Sequence, residues 1–307
     1  MSGRPAILAL LTGTLALAAC VSAIEVDPAV SALNASQALG AHRLATDAPA
    51  QAFGSYARGC ADGLEQLPET GPTWQAMRLS RNRNWGHPQM IDYLQDLSRD
   101  AARIGWAGLY IGDISQPRGG PTSSGHRSHQ MGLDADIWML PPTRLNLTRE
   151  DRENLSSVSV RSRDQRRLTE HWTPQHAQVL RAAASDDRVD RVFVAAAVKI
   201  ELCRTATPAD TPWLQRIRPI RGHNYHFHVR LRCPAGSADC QTQSPTVAEL
   251  SNGGNGCDET LRWWVNGFLE PRPPAPPSAD PPRRRRHPRE YSLADLPQQC
   301  SLVAQRR

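Results

Sequence analysis

Residues 125–136 read GHRSHQMGLDAD, and the fold and chemistry of the chain turn on this stretch. It crowds His126, His129, Asp134 and Asp136 between Gly125 and Gly132, in a segment that cannot form a regular helix. Directly after the second glycine, LDADIWML from Leu133 to Leu140 reads as a strand entered from a glycine-rich loop. Alternation places Asp134 and Asp136 on one face of that strand.

A second stretch complements the first. RGHNYHFHVRLRC, from Arg221 to Cys233, alternates cleanly, with His226, His228, Arg230 and Arg232 on one face and Phe227, Val229 and Leu231 on the other. A strand is a rigid platform and suits side chains that must hold metal geometry. A loop histidine (His129), a strand carboxylate (Asp136) and a distant strand histidine make the N/N/O set of a catalytic zinc, with a fourth position left for water. Zinc tolerates this set and acidifies its water to a pKa of about 7, whereas calcium would demand oxygen ligands. Alone, either an HxH strand or an H-x6-D spacing is unremarkable; together, in a chain with glycines at the loop, they point to a metal. The HxH pair comes last in the chain, an order that argues against a cupin.

The chain has 307 residues, 39% hydrophobic and 21% charged, enough for one catalytic-size domain with appendages. It opens MSGRPAILALLTGTLALAACVSA, where an apolar run from Ala6 to Ala18 is too short to span a bilayer comfortably and reads as an export signal over residues 1–23. Two cleavage readings stand: a small-residue site at Val21-Ser22-Ala23, or a lipoprotein pattern in which Cys20 becomes the lipidated first residue. The expected location is therefore periplasmic, free or tethered to the outer membrane through Cys20.

Export implies an oxidising compartment. Setting Cys20 aside leaves Cys60, Cys203, Cys233, Cys240, Cys257 and Cys300, an even set that reads as disulfides, with no CxxC pair for a cysteine zinc cluster. Parity alone assigns no partners. The net charge of +6 favours an anionic partner or surface, although part of it comes from the run Arg283 to Arg286. No aromatic residues interleave that run, so nucleic acid is not the expected partner.

From about Gln51 to Trp264, strand-like and helix-like patterns alternate without an internal repeat. Pro88 opens an amphipathic helix whose apolar stripe is Met90, Ile91, Leu94, Leu97, Ala101 and Ile104. Trp106 to Ile114 predicts a strand ending in a loop, Thr173 an N-cap for a helix to about Ser185, and Arg191 to Leu202 a strand or a strand running into a helix. After Leu269 the tract EPRPPAPPSADPPRRRRHPRE predicts an extended, unpacked tether, with Cys300 beyond it available to pin the tail. The expected division is a domain over 24–270 and a Pro/Arg-rich tail over 271–307.

These residues resemble a known family. SGHRSHQMGLDADIW and HNYHFHVRLRCP, together with FGSYARGC, WGHPQMIDYL and IGDISQPRGG, look like the penicillin-insensitive murein endopeptidases of the lysostaphin, D-alanyl-D-alanine metallopeptidase and hedgehog group. The resemblance implies an α+β fold, a small antiparallel sheet carrying the zinc site, flanked by helices. It implies that His129, Asp136 and His228 bind zinc, that His226 is the catalytic acid/base or oxyanion stabiliser, and that His126 and His223 lie in or near the site, His126 available to a second metal. It also implies disulfides pairing Cys60 with Cys300, Cys203 with Cys257 and Cys233 with Cys240. A family D-x-x-H pair matches Asp164, but Arg167 stands where the histidine should be, which tells against a second zinc.

The implied activity is zinc-dependent hydrolysis of the D-alanyl to meso-diaminopimelyl amide that crosslinks peptidoglycan, with Arg230 and Arg232 as candidate partners for stem carboxylates. The single lysine, Lys199, lies outside any S-x-x-K motif, so a penicillin-type serine nucleophile is not expected. The rival readings are a D,D-carboxypeptidase or dipeptidase on uncrosslinked stems, and a non-catalytic zinc-containing wall-binding module.

Overall fold

The computed structural model describes residues 27–269 and 286–306. The expected signal over 1–23, Cys20 within it, and Arg283 to Arg285 of the basic run lie outside the described residues.

The fold is mixed α+β. Seven strands form one sheet, in the order Ile217–Pro219, Val189–Val194, His226–Leu231, Asp134–Trp138, Leu109–Ile111, Trp74–Ala76, Thr70–Gly71. The sheet is larger than expected and not purely antiparallel. Ile217–Pro219 runs parallel to Val189–Val194, and Trp74–Ala76 runs parallel to Leu109–Ile111. Parallel neighbours need a crossover, and here the crossovers carry the helices Ala196–Arg204 and Pro88–Ile104.

The central strands are buried on both sides, and the two sides differ in chemistry. Ala135, Ile137, Val192, Phe227 and Val229 join Met90, Leu94, Leu97, Val179, Leu180 and Ala183 in the main core. Each of these side chains larger than alanine contributes about 1.5–3 kcal/mol when fully buried. Asp134, Asp136, His228 and Arg230 occupy alternate positions and are buried too. Pairing of His228 with Asp136 and of Arg230 with Asp134 across neighbouring antiparallel strands brings this polar set together.

The helix Pro88–Ile104 starts on Pro88, is capped by His87, and buries Met90, Ile91, Leu94, Leu97 and Ala101, with Ile104 partly buried. Thr173 caps the helix Pro174–Ser185, and the 191–202 segment proves to be a strand to Val194 followed by the helix Ala196–Arg204. The strand expected over 106–114 is confined to Leu109–Ile111. Beyond it the chain leaves the regular ladder but stays bonded, Gly112 N–H donating to Asp136 O and Asp136 N–H to Asp113 O. This irregular exit delivers the Asp113 carboxylate and the Ile114 carbonyl to the polar side, while the Ile114 side chain stays in the core.

Residues 270–285 of the expected tether lie outside the described residues. From residue 286 onward the chain packs: Pro288, at the end of that tract, is buried, and the helix Gln299–Gln305 packs Cys300, Val303 and Ala304 with Ala35, Leu39, Phe53 and Cys60. Tyr291, Leu293 and Leu296 complete this second core, so packing does not end at the expected 270/271 boundary. Arg118 Nη1 donates to Val303 O at 2.7 Å. The proline and arginine composition of the preceding tract masked the apolar spacing that follows it.

Disulfides join Cys60 to Cys300, Cys203 to Cys257 and Cys233 to Cys240. Among the described residues no helix is long and apolar enough to cross a membrane. The Cys60–Cys300 link spans 240 residues and therefore restricts the unfolded chain most. Replacing both cysteines by serine is expected to lower stability by about 2–5 kcal/mol in chemical denaturation; an unchanged midpoint would show that the apolar packing of the last helix suffices without the bond.

Candidate metal centre

The loop from Gly125 to Leu133 presents its histidines through an unusual backbone. His129 adopts a left-handed conformation, φ 66°, which costs a non-glycine residue about 1–2 kcal/mol. Two bonds offset that cost: His129 N–H donates to Asp134 Oδ2 at 2.9 Å, and Nδ1–H donates to Ile114 O at 2.6 Å. Gly132 also has positive φ, 68°, and a Cβ there would lie 2.7 Å from His87 N, so only glycine closes the loop onto the helix start.

Because the Ile114 carbonyl can only accept, the proton of His129 sits on Nδ1 and its Nε2 carries a lone pair. That Nε2 is buried, lacks a hydrogen-bond partner, and lies 3.4 Å from Asp136 Oδ1, which also lacks one. Two acceptors cannot bond each other; a cation between them satisfies both. His228 repeats the arrangement, with Nε2 at 2.9 Å from Asp134 Oδ1 and Nδ1 left facing Asp136 Oδ1 at 3.3 Å. His126 Nε2 contacts Asp113 Oδ2 at 2.9 Å, leaving Nδ1 at 3.6 Å from Asp136 Oδ2. His226 Nε2 lies 3.5 Å from Asp136 Oδ1.

The donor set fits a divalent metal. Ligand atoms of His126, His129 and Asp136 all lie within 4.8 Å of one another, and His228 Nδ1 approaches the same carboxylate. Burial opposes ionisation of Asp136, but His226, His129 and His126 outweigh it and hold its carboxyl well below the usual range. Two nitrogens and a carboxylate oxygen suit zinc better than calcium.

Behind these groups stands a buried support. Asp134 accepts from the His129 backbone, the His228 ring and Arg230, whose Nε and Nη2 lie 2.8 and 3.1 Å from its two oxygens. The Arg230 guanidinium is sandwiched between Tyr56, 4.1 Å from the ring centre, and Phe193 at 5.1 Å, and also bonds Gln243. Burial disfavours the Asp134 carboxylate, but Arg230 and His228 hold it well below its usual range. On the other flank Asp113 binds Arg81 at 3.1 Å, Arg83 at 2.9 Å and His126. Arg83 also donates to Ser124 O and so anchors the loop ahead of Gly125.

The structure thus brings His126, His129, Asp136, His226 and His228 together, with His223 alongside, its ring 4.9 Å from that of His226. Burial, with His228 and His226 adding to it, pushes His223 down to about 3, so it is neutral near pH 7. Other expectations change. Arg230 is committed to Asp134 and cannot meet a substrate carboxylate, while Arg232 is exposed and its side chain donates to Val189 O at 3.4 Å. Asp164 forms an exposed ion pair with Arg167 at 3.5 Å and joins no metal-binding group among the described residues.

Asp113 and Ile114 O were not legible as site residues, because nothing in IGDISQPRGG marks the irregular turn that aims them inward, and Arg81 and Arg83 reach the site through their pairing with Asp113. Asp134 was placed on the right face by alternation, yet its supporting role depends on a loop backbone contact that no sequence spacing reveals.

An open cleft of about 420 Å³ leads to the centre, bordered by Arg78, Arg81, Trp138, Ser157, Tyr225 and His226. Tyr225 is 52% exposed at its mouth, and Arg78 stacks over Trp138 at 5.5 Å. Four imidazoles around one buried carboxylate, at the foot of a solvent-open cleft, form a group that could hold a metal ion.

The chain belongs to the peptidase family described as penicillin-insensitive murein endopeptidase, which matches residues 52–305. A protein of that description from Haemophilus influenzae is 41% identical over 227 residues, covering 74% of this chain and 76% of the relative. One from Klebsiella pneumoniae is 37% identical over 255 residues, covering 83% and 86%. Another, from Salmonella typhi, is 38% identical over 239 residues, covering 75% and 84%.

Asp134→Asn removes the charge that holds Arg230 and weakens the grip on two histidines at once. Competition against a chelator is expected to show about 10–100-fold weaker binding of a divalent ion; affinity equal to wild type would deny Asp134 this supporting role.

Proposed function

We propose that the protein is a zinc-dependent murein DD-endopeptidase that hydrolyses the D-alanyl to meso-diaminopimelyl crosslink of peptidoglycan. The observation that carries this reading is the pair of unsatisfied buried acceptors, His129 Nε2 and Asp136 Oδ1, at the foot of an open cleft in a chain of this family. His129, Asp136 and His228 would hold the zinc, with His126 beside them. When bound, zinc would polarise the scissile carbonyl and acidify a water molecule at the open side.

The remaining steps fall to this chain's own side chains. His226 borders the cleft, its side chain 24% exposed, and burial pushes its pKa down against the pull of Asp136. It is therefore neutral at working pH and can take a proton from the attacking water or steady the developing oxyanion. Arg78 and Arg81 line the cleft and are placed to meet the free carboxylates of the peptide stems, the role that Arg230 and Arg232 were expected to fill. Tyr225 offers a flat, exposed surface to the stem and the sugar-proximal residues.

In this reading residues 1–23 direct export and the mature chain begins at Ile24 or at a lipidated Cys20, placing the enzyme in the periplasm or on the outer membrane. Mass spectrometry of the mature N-terminus separates the two.

Incubation of purified protein with crosslinked muropeptide dimers, with products identified, tests the activity. Dimers are expected to yield monomers, chelation to stop the reaction, and added zinc to restore it; release of terminal D-alanine alone would replace the endopeptidase with a carboxypeptidase. His226→Ala is expected to keep its metal and to lose about 10²–10⁴-fold in dimer cleavage, whereas cleavage at the wild-type rate would strip His226 of its assignment.

A further inference from the structure

Behind the metal centre, two buried arginines stand side by side on neighbouring strands. Arg230 and Arg191 are register partners, 7% and 1% exposed. Like charges this close repel, and each has its own carboxylate: Arg230 holds Asp134, and Arg191 Nε lies 2.6 Å from Asp190 Oδ2. The other bonds of both guanidiniums go to one short segment, from Cys240 to Pro245.

Arg191 holds the main chain of that segment, its Nη2 donating to Gln243 O at 3.2 Å and to Pro245 O at 3.1 Å. Arg230 holds its side chain, Nη1 donating to Gln243 Oε1. The segment is pinned at its start as well. Cys240 is bonded to Cys233, two residues past the strand His226–Leu231, and Gln241 N–H donates to Gly54 O at 2.7 Å. Thr242 and Ser244 are exposed, while Gln243 between them reaches inward to the buried guanidinium.

This contact bears on the metal site through Asp134. Its Oδ1 accepts from Arg230 Nε at 2.8 Å and from the His228 ring at 2.9 Å. Its Oδ2 accepts from Arg230 Nη2 at 3.1 Å and from His129 N–H at 2.9 Å. Each oxygen thus joins the guanidinium to one histidine of the centre. Tyr56 and Phe193, stacked on Arg230, restrict the plane of the guanidinium but not its rotation within that plane. A guanidinium and a carboxylate paired edge to edge can still swing together, because the pair carries its two bonds with it. An acceptor on Nη1, supplied by a separately anchored segment, stops that motion.

We propose that Gln243 is a positioning residue for the metal centre: it fixes the Arg230 guanidinium and, through it, the Asp134 carboxylate that aims His129 and His228. The inference rests on the metal-dependent reading above. It makes the strap closed by Cys233–Cys240 part of the frame that sets ligand geometry, although none of its residues reaches the metal.

The test measures zinc affinity of the metal-free protein by competition with a chromophoric chelator, and the visible spectrum of the cobalt-substituted protein, which reports ligand geometry. Gln243→Leu keeps the bulk of the side chain and removes the acceptor; it is expected to bind zinc about 10-fold more weakly and to shift the cobalt bands. Gln243→Glu keeps an acceptor for Arg230 Nη1 and is expected to match wild type in both readings. Should Gln243→Leu not fold, Gln243→Asn, whose amide is one methylene too short to reach, is read in its place with the same losses expected. Wild-type affinity and spectrum in the folded Leu or Asn variant, or a Glu variant as impaired as the Leu variant, overturns the proposal. A wild-type protein that takes up no zinc fails earlier and separately: it removes the metal reading, and this inference with it.

Discussion

His129 Nε2 and Asp136 Oδ1 face each other across 3.4 Å in a buried site, each without a hydrogen-bond partner. Leaving two acceptors in that position costs free energy that the apo fold must absorb elsewhere. The surrounding structure is arranged to keep them so. The Ile114 carbonyl, the Asp134 carboxylate and the Asp113 carboxylate each engage the far nitrogen of one imidazole, His129, His228 and His126 respectively. Fixing those protons outward turns three rings inward as bases, which is what a cation requires.

That constraint explains the layout of the sheet. Alternation gives the strands Asp134–Trp138 and His226–Leu231 one apolar face, packed on the helices, and one buried polar face. Antiparallel register sets His228 opposite Asp136, and a slip of one residue would send both into the apolar core. Arg230, one pleat further along, supplies the positive charge that lets Asp134 remain ionised while it supports two histidines. The second core, built from both ends of the described chain and closed by Cys60–Cys300, fixes the outer edge of the same region through Arg118.

Much of this was legible from local patterns. The alternation of HNYHFHVRLRC, the glycines around His129 and the apolar stripe after Pro88 each report a backbone geometry set within a few residues. The family resemblance was carried by the same motifs. What escaped depends on distant partners. Arg230 and Arg232 look alike on an alternating strand, but only Arg230 meets Asp134. The sheet's parallel pairs rest on strands of three residues, too short to show a period. Asp113 sits in an irregular turn, and the packed residues after Arg286 follow a proline-rich tract whose composition hides them.

The central claim is that one divalent ion sits between those two facing atoms. A difference map from the zinc-loaded protein, measured on both sides of the zinc absorption edge, tests it most directly. The account predicts one strong peak at about 2.0–2.2 Å from His129 Nε2, Asp136 Oδ1 and His228 Nδ1. Zinc bound elsewhere, or a loaded, active protein with no peak among these three atoms, would contradict it.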